Sequence, residues 1–329
     1  MPIEAKYYES LERGAVRCTL CPAECLIATG KTGICATRVN REGKLIAENY
    51  GEVVTVAVDP IEKKPLYHFH PGSSIVSTGP NGCNMACENC QNWTISQTTV
   101  RTTSLTPEEL AGIASAEGSI GVAFTYTEPM IWFEYIMDVA PLLKERGLKT
   151  VLVSNGYINP EPLAELIPLA DAVNIDLKSM RPDFYKKVCK AELSPVLKTI
   201  EAFVAAGTHI EITNLIIPEL NDADDDFAKL AGHLAELDEN IPLHLSRYHP
   251  DYRMNIRATP AETMERALEL SSRYLNYVFV GNIHIPGSSD SCCPECRSPL
   301  IERRAFGSNI LGLEEGRCKN CGHQTGIVH

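Results

Sequence analysis

The chain has 329 residues, of which 44% are hydrophobic, and carries a formal net charge of −12 at pH 7. This length allows one large domain with smaller additions, and no apolar run approaches the roughly 20 residues needed to cross a bilayer. The acidic balance argues against a large nucleic-acid surface, and the N-terminus lacks the pattern of a secretory signal. We therefore expect a cytoplasmic protein that contacts no membrane, with nucleic acid disfavoured as a partner.

Thirteen cysteines are many for a chain that we expect in a reducing compartment. Clustered cysteines are there more often metal ligands than disulfides. Twelve of the 13 fall into three groups, and only Cys189 stands apart, in a helical-looking segment that predicts a packing role. The groups and the intervening pattern divide the chain into an N-terminal metal-binding appendage (1–70), a central domain (71–285) and a C-terminal module (286–329).

The first group lies in the appendage and has the spacing C-x2-C-x3-C-x9-C. Gly30 and Gly33 allow the chain to turn back toward the first three thiols. Four thiolates suit either a zinc ion or an auxiliary iron–sulfur cluster, and the irregular spacing leaves both open. The four predicted ligands are Cys18, Cys21, Cys25 and Cys35.

The second group, Cys83, Cys87 and Cys90, has the spacing C-x3-C-x2-C. Three thiolates hold three corners of a [4Fe–4S] cube and leave the fourth iron without a protein ligand, which makes that iron a reaction site. A zinc knuckle completed by a distant ligand and a set of unrelated thiols are the plainer alternatives. Zinc sites usually show paired C-x2-C units, so this spacing favours the open cluster. An electron-transfer protein with several clusters is a rival function.

The central domain alternates short β-branched runs with amphipathic helical stretches. Thr106–Glu109 forms a capping box, Thr259–Glu262 repeats it, Ser194 opens a helix that Gly207 ends, and Gly147 ends another. This alternation predicts an α/β fold, a partial or complete barrel of parallel strands whose active residues gather at the C-terminal strand ends. The predicted strands are Ser74–Ser77, Gly121–Thr125, Thr150–Val153, Ala172–Ile175, Ile210–Ile217, Leu243–Ser246 and Tyr277–Val280.

The third group consists of two C-x2-C pairs separated by 21 residues, close to the spacing of a four-cysteine zinc ribbon. It predicts a structural Zn²⁺ that stabilises a unit too small to fold by core burial alone. A rubredoxin-like iron has the same geometry and stays open. The ligands are Cys293, Cys296, Cys318 and Cys321, and Cys292 is surplus.

The triad after the first strand resembles the signature of the radical S-adenosylmethionine (SAM) superfamily, whose fold is a partial (β/α)6 TIM-like barrel. Within it the chain is similar to the pyruvate formate-lyase activating enzyme branch, and most similar to the AmmeMemoRadiSam type. That closer likeness rests on the runs Glu62–Phe69, Cys90–Trp93 and Cys18–Cys25. The resemblance implies a [4Fe–4S] cluster, SAM, and a reductant such as flavodoxin or ferredoxin.

The resemblance also implies a set of SAM-binding residues. Glu128 takes the place of the family's Gly-Gly-Glu segment and would bind the SAM ammonium, with a helix-start role as the alternative. Asp176 and Lys178 would line the pocket, Lys178 pairing with the SAM carboxylate, or would form a plain surface ion pair. The further candidates at strand ends are Ser154, Asn155 and His249.

Two positions depart from the family pattern. Asn89 replaces the aromatic residue that usually precedes the third cysteine and packs near the adenine of SAM. Val153 replaces an aspartate that helps bind a monovalent cation. We therefore expect adenine to be bound by other groups, and the cation site to be absent.

The activity that the resemblance implies is reductive cleavage of SAM, followed by hydrogen abstraction from a substrate by a 5′-deoxyadenosyl radical. Activating enzymes of this branch act on a partner enzyme, which suggests a protein substrate. A Memo-like partner is implied by the name of the type alone. An RNA-modifying enzyme is a further alternative, against which the acidic balance counts.

Overall fold

The computed structural model describes residues 2–329. An eight-stranded sheet forms the centre of the molecule, and smaller sheets precede and follow it along the chain. Every helix in residues 2–329 is too short or too polar to span a lipid bilayer.

The seven predicted strands of the central domain are confirmed. They pair in parallel and in chain order, and one antiparallel strand from the appendage, β8, extends the sheet by pairing with β9. Strand–helix alternation produces this open parallel sheet, with crossover helices covering it. The strands are β8 (Thr55–Pro60), β9 (Ser74–Gly79), β11 (Gly121–Phe124), β12 (Lys149–Ser154), β13 (Ala172–Asp176), β14 (His209–Ile216), β15 (Leu243–Arg247) and β16 (Val278–Gly281).

Most of the predicted helix signals are confirmed, although the helix predicted to open at Ser194 begins at Leu193 with Glu192 as its N-cap. Thr106 and Glu109 form the capping box of α2 through reciprocal side-chain bonds of 3.2 and 2.8 Å. Gly147 and Gly207 adopt the left-handed conformation after their helices, as the sequence indicated. The α-helices are α1 (Trp93–Ser96), α2 (Pro107–Ala116), α3 (Phe133–Glu145), α4 (Pro160–Leu166), α5 (Pro182–Phe184), α6 (Leu193–Ala206), α7 (Asp224–Leu237) and α8 (Ala261–Ser271).

The predicted capping box at Thr259 is wrong. Helix α8 begins at Ala261 with Pro260 as its N-cap, and no side chain caps it. The Thr259 hydroxyl instead donates to the carbonyl of Ile216 (2.6 Å) and accepts from the N–H of Tyr248 (3.1 Å). Because the Thr259 hydroxyl bonds to the ends of two neighbouring strands, it does not cap the helix.

The N-terminal appendage consists of short antiparallel strands. A buried ion pair fixes it to the barrel, because Arg38 in β5 donates to both carboxylate oxygens of Glu134 in α3 at 2.9 and 2.7 Å. The strands are β1 (Ile3–Glu4), β2 (Tyr8–Ser10), β3 (Val16–Cys18), β4 (Leu26–Ile27), β5 (Arg38–Arg41), β6 (Lys44–Ala47) and β7 (Glu52–Val53), the last paired with β10 (Thr103–Ser104).

The C-terminal module packs against the segment that precedes the first barrel strand. Val328 forms a bridge with Phe69, and Arg303 donates to the carbonyl of Tyr67 and stacks on its ring at 4.4 Å. This segment, Glu62–Phe69, is the run that carried the closer family resemblance. The strands of the module are β17 (Ser291–Cys292), β18 (Pro299–Arg304), β19 (Gly307–Ile310), β20 (Leu313–Glu314) and β21 (Arg317–Cys318).

Candidate functional site

A cavity of about 200 Å³ lies at the carboxyl ends of the barrel strands. The three thiols of the triad line it together with Asp176 and Lys178. Residues that are up to 95 positions apart in the chain therefore share one site. This is the end of a parallel α/β barrel at which active sites are built.

The thiols of the triad receive hydrogen-bond donors from several directions. The N–H of Met85 lies 3.4 Å from the Cys83 sulfur and the Asn155 amide nitrogen lies 3.6 Å from it. The Ser96 hydroxyl is 3.1 Å from the sulfur of Cys90. Donors directed at sulfur favour the thiolate, which is the form that binds iron, and they oppose the burial that raises the pKa of both Cys83 and Cys90.

The loop that carries the triad is anchored from outside the cavity. The N–H groups of Ala86 and Glu88 donate to the carbonyls of Cys189 (3.1 Å) and Val188 (3.0 Å). Cys189 itself is fully buried in the hydrophobic core, which fits the packing role predicted for it. The loop is thus held by backbone bonds, and the Cys87 thiol is also hydrogen-bonded to the thiol of Cys189.

The geometry of the triad suits a cluster better than a single ion. Within residues 2–329, the triad is not among the groups whose ligand atoms all lie within 4.8 Å of one another. A cube places its iron atoms at separate corners, so its cysteine sulfurs stay further apart than the ligands of one zinc ion. The donor set and this spacing fit a [4Fe–4S] cluster.

Asp176 and Lys178 form an ion pair at the end of β13, with 3.1 Å between Nζ and Oδ2. Both side chains line the cavity, and the Lys178 side chain is 21% exposed and that of Asp176 39%. Burial alone would lower the pKa of Lys178, but the carboxylate of Asp176 and the nearby thiols hold that pKa well above its usual value. Lys178 therefore presents a permanent positive charge to an anionic group in the cavity.

Glu128 is not part of the cavity lining, and its role toward SAM stays a prediction. Its carboxylate is fully buried and accepts hydrogen bonds from the N–H of Met130 (2.9 Å), the Ser154 hydroxyl (2.7 Å) and the N–H of Asn155 (2.8 Å). Burial raises its pKa to about 7. Glu128 caps the helical turn Pro129–Trp132 and does not line the cavity, which is the helix-start role given as the alternative.

The other predicted SAM residues divide into two kinds. Asn155 lines the cavity, whereas Ser154 is buried and supports Glu128 and the N–H of Gly156. His249 is exposed, with its Nδ1 3.3 Å from the side chain of Gln91, beside the triad segment but outside the cavity lining. Their roles toward SAM stay predictions.

Besides Gln91 and Ser96 in the triad segment, five polar lining residues were missed by the sequence analysis. The alternation of sides along a strand marks Thr213 in β14 and Ser246 in β15 as inward-facing, and this signal was available in the sequence. Asn92, Tyr126 and Thr127 lie in loops, where no periodic signal exists. All five line the same cavity as the triad.

The four N-terminal cysteines are more loosely grouped than those of the C-terminal module. Within residues 2–329, the one group of metal-binding side chains whose ligand atoms all lie within 4.8 Å is the C-terminal group. Cys18, Cys21 and Cys35 are buried and Cys25 is partly exposed. Burial raises the pKa of Cys21 to about 12. A metal at this site stays a prediction, with zinc and an iron–sulfur cluster both open.

The C-terminal group has the geometry of a four-thiolate metal site. The sulfurs of Cys293 and Cys321 are 3.6 Å apart, as are those of Cys296 and Cys318. A tetrahedral zinc site with bonds of about 2.3 Å separates its sulfurs by about 3.8 Å. The four residues predicted from the two C-x2-C pairs therefore form a site for one metal ion, and Cys292 lies outside it.

Comparison of the sequence with known families identifies the radical SAM superfamily. The profile of the radical SAM superfamily matches residues 78–231, which contain the triad, Glu128, Asp176 and Lys178. An uncharacterized protein of Methanocaldococcus jannaschii is 44% identical to the chain and covers 99% of it, with 99% of that protein aligned. The pyruvate formate-lyase-activating enzyme of Clostridium pasteurianum is 28% identical over 51% of the chain and 72% of the enzyme.

Solved structures show the same fold at lower identity. Streptococcus suis SuiB bound to S-adenosylmethionine aligns with a TM-score of 0.51 and 14% identity, over 62% of the chain and 49% of SuiB. A radical SAM methyltransferase from Sphaerobacter thermophilus aligns with a TM-score of 0.50 and 16% identity, over 67% of the chain and 70% of the methyltransferase. The barrel is therefore shared with these proteins, whereas their substrates are not carried over at such identities.

Proposed function

Because this chain belongs to the radical SAM superfamily, we propose that it cleaves SAM reductively and then removes a hydrogen atom from a protein substrate. The observation that carries the proposal is the cavity in which Cys83, Cys87 and Cys90 meet the Asp176–Lys178 pair. A cluster ligand set and a charged pair in one cavity of this size match a small zwitterionic ligand that must reach an open iron.

The residues that line the cavity would have separate roles. The triad would hold the [4Fe–4S] cluster, which when bound supplies the electron for cleavage of the sulfonium bond. Lys178 would pair with the SAM carboxylate and Asp176 with its ammonium, because both charges lie at the cavity wall. The barrel walls around them would exclude water from the reacting atoms.

A protein substrate is supported by the relatives. The pyruvate formate-lyase-activating enzyme aligned above is named for its action on another enzyme, and the alignment covers most of its length. A reductant such as flavodoxin or ferredoxin would supply the electron, and a Memo-like partner and the AmmeMemoRadiSam type stay predictions. Zinc in the C-terminal module would be structural, since its four ligands leave no open position.

The test is anaerobic turnover without added substrate. The protein is reconstituted with iron and sulfide, reduced with dithionite and given SAM, and 5′-deoxyadenosine is quantified. We expect product from the wild type and none from Cys87→Ala, while Cys292→Ala, which removes an exposed thiol outside every ligand group, retains it. Equal product from Cys87→Ala would contradict the proposal.

A multi-cluster electron-transfer protein is the rival, because the chain has further cysteine groups beside the triad. An electron carrier has no need to bind SAM. Equilibrium dialysis with labelled SAM therefore separates the two functions before any substrate is known. Absence of binding to the reconstituted wild type would favour the carrier.

A further inference from the structure

Tyr126 occupies an unusual backbone position in the cavity wall. It follows β11 with a φ of 69°, in the left-handed region that bulky residues rarely adopt. Its neighbours Thr125 and Thr127 offer no glycine to share the turn. Such a conformation persists only where the surrounding contacts over-determine it, and it concentrates at functional sites.

Two buried charges hold the Tyr126 side chain on the barrel side. Its hydroxyl donates to Oδ2 of Asp59 at 3.0 Å, and the ammonium of Lys64 lies 4.8 Å from the centre of its ring. Lys64 also donates to Asp59 at 2.9 Å, and its side chain is only 4% exposed. Taking these charges out of water is costly, so a buried pair is not explained by stability alone.

The backbone of Tyr126 holds the triad segment on the cavity side. The Asn92 amide donates to the Tyr126 carbonyl at 2.7 Å, and Asn92 lies two residues after Cys90. The hydroxyl of the next residue, Thr127, donates to the carbonyl of Pro80 at 2.8 Å, just ahead of the triad. Both flanks of the triad loop are therefore attached to the turn whose conformation Tyr126 sets.

Asp59 and Lys64 do not line the cavity themselves. We propose that they are positioning residues for SAM, which fix Tyr126 in its left-handed conformation and thereby set the cavity wall and the triad loop. This inference rests on the proposed function, because SAM is the ligand for which the wall is set. It also gives a role to Lys64 of the Glu62–Phe69 run, which the catalytic assignment leaves unused.

The chain offers a matched control for this proposal. Lys63 donates to the other oxygen of Asp59 at 3.1 Å, but its side chain is 44% exposed and it does not cover the Tyr126 ring. Lys63→Met and Lys64→Met thus each remove one ammonium from the same carboxylate. Only the second removes the contact with Tyr126.

The experiment measures SAM affinity by equilibrium dialysis on reconstituted protein, together with iron content and the electron paramagnetic resonance spectrum of the reduced cluster. We expect Tyr126→Phe and Lys64→Met each to weaken SAM binding by about tenfold, the effect of one lost hydrogen bond. Lys63→Met should change it less than twofold, and the iron content should stay the same in all three. The double variant Tyr126→Phe/Lys64→Met should lose less than the product of the single effects, because the two residues act as one unit.

Two results would overturn the inference, and they are distinguishable. If the wild type binds SAM and Tyr126→Phe and Lys64→Met bind it equally well, the inference fails and the proposed function stands. If the wild type binds no SAM, both fail together. Should Lys64→Met lose iron through misfolding, Tyr126→Phe decides alone, since it removes a single oxygen, and unchanged affinity in it refutes the proposal.

Discussion

The two ends of the barrel contain similar polar side chains that make different contacts. We call the end with the amino termini of the parallel strands the base, and the end with their carboxyl termini and the cavity the mouth. On β14, Glu211 and Thr213 point to the same side of the sheet, two residues apart. Glu211 lies at the base and accepts from the N–H groups of Tyr67 (3.0 Å) and His68 (2.7 Å), as well as bonding His209 and His244. Thr213 lies above it and lines the cavity.

The difference comes from what fills each end. The run Glu62–Phe69 enters the base, where Pro65 accepts from the amide of Asn174 at 2.7 Å, and the C-terminal module closes it through Arg303. Among the described residues 2–329, the side chains at the mouth line a cavity instead of packing against such a segment. A buried charge marks a candidate site only where the chain leaves room for a ligand.

The largest loss of stability should come from removing Glu211, which is the shared acceptor of the hydrogen-bond network at the base. Glu211→Leu removes a fully buried carboxylate and leaves two backbone N–H groups and two histidines without their acceptor. We expect it to lower the free energy of unfolding by about 3–5 kcal/mol, measured by chemical denaturation. Thr213→Val, two residues along the same face, should cost far less and serves as the control. Equal losses would contradict the distinction between the two ends.

Lowering the pH should also reduce the stability of the network at the base of the barrel. Burial lowers the pKa of His68 to about 3, against 6.5 when unfolded, so the unfolded chain binds the extra proton first. The stability that neutral His68 contributes is complete above pH 6.5 and is lost as the pH falls toward 3. We expect His68 to contribute a loss of about 2 kcal/mol between pH 6.5 and 4.5. Glu128, whose pKa is raised to about 7 in the folded protein, has the opposite effect over this interval, so the contribution of His68 is the difference between the wild type and a His68 variant.

The measurement is a series of denaturation curves at pH 6.5, 5.5 and 4.5. His68→Gln places an uncharged amide near Ser291, which the His68 ring contacts at 2.9 Å, and cannot take up the proton. Its stability should therefore fall less steeply than that of the wild type across this interval. Parallel curves for the two proteins would show that His68 is not the titrating group.

A substitution at the mouth should weaken SAM binding and leave the free energy of unfolding almost unchanged. Lys178→Met removes the ammonium that faces the cavity, and we expect SAM affinity to fall by about 10- to 100-fold, the effect of one charge-assisted bond. The control is Lys187→Met, which breaks the exposed ion pair with Asp183. Dialysis with labelled SAM is the measurement. Unchanged affinity in Lys178→Met would remove Lys178 from the proposed site.

The features that depend on local sequence patterns were predicted correctly. Strand–helix alternation located all seven parallel strands, and the spacing of Cys293, Cys296, Cys318 and Cys321 identified the C-terminal metal group. The predicted cap at Thr259 was wrong because its side chain bonds to the ends of strands that are distant in the chain. The contacts of Glu128 with Ser154 and Asn155 likewise follow from packing and from no local pattern. The base network and the Tyr126 turn were missed for the same reason. Which inward residue becomes a ligand contact depends on what else enters the barrel, and no local pattern encodes this.

The smallest expected effect concerns a single atom at the mouth of the barrel, the side-chain oxygen of Asn89. Asn89 is 8% exposed and lines the cavity, and its Oδ1 has no hydrogen-bond partner within residues 2–329. A buried acceptor without a donor is costly, so we expect a donor of bound SAM to satisfy it. Asn89→Leu, similar in size and apolar, should then weaken SAM binding by about tenfold and leave the iron content unchanged. Binding that is unchanged or tighter would mean that SAM leaves this oxygen unpaired, and that an unpaired buried acceptor at the mouth does not mark a ligand contact.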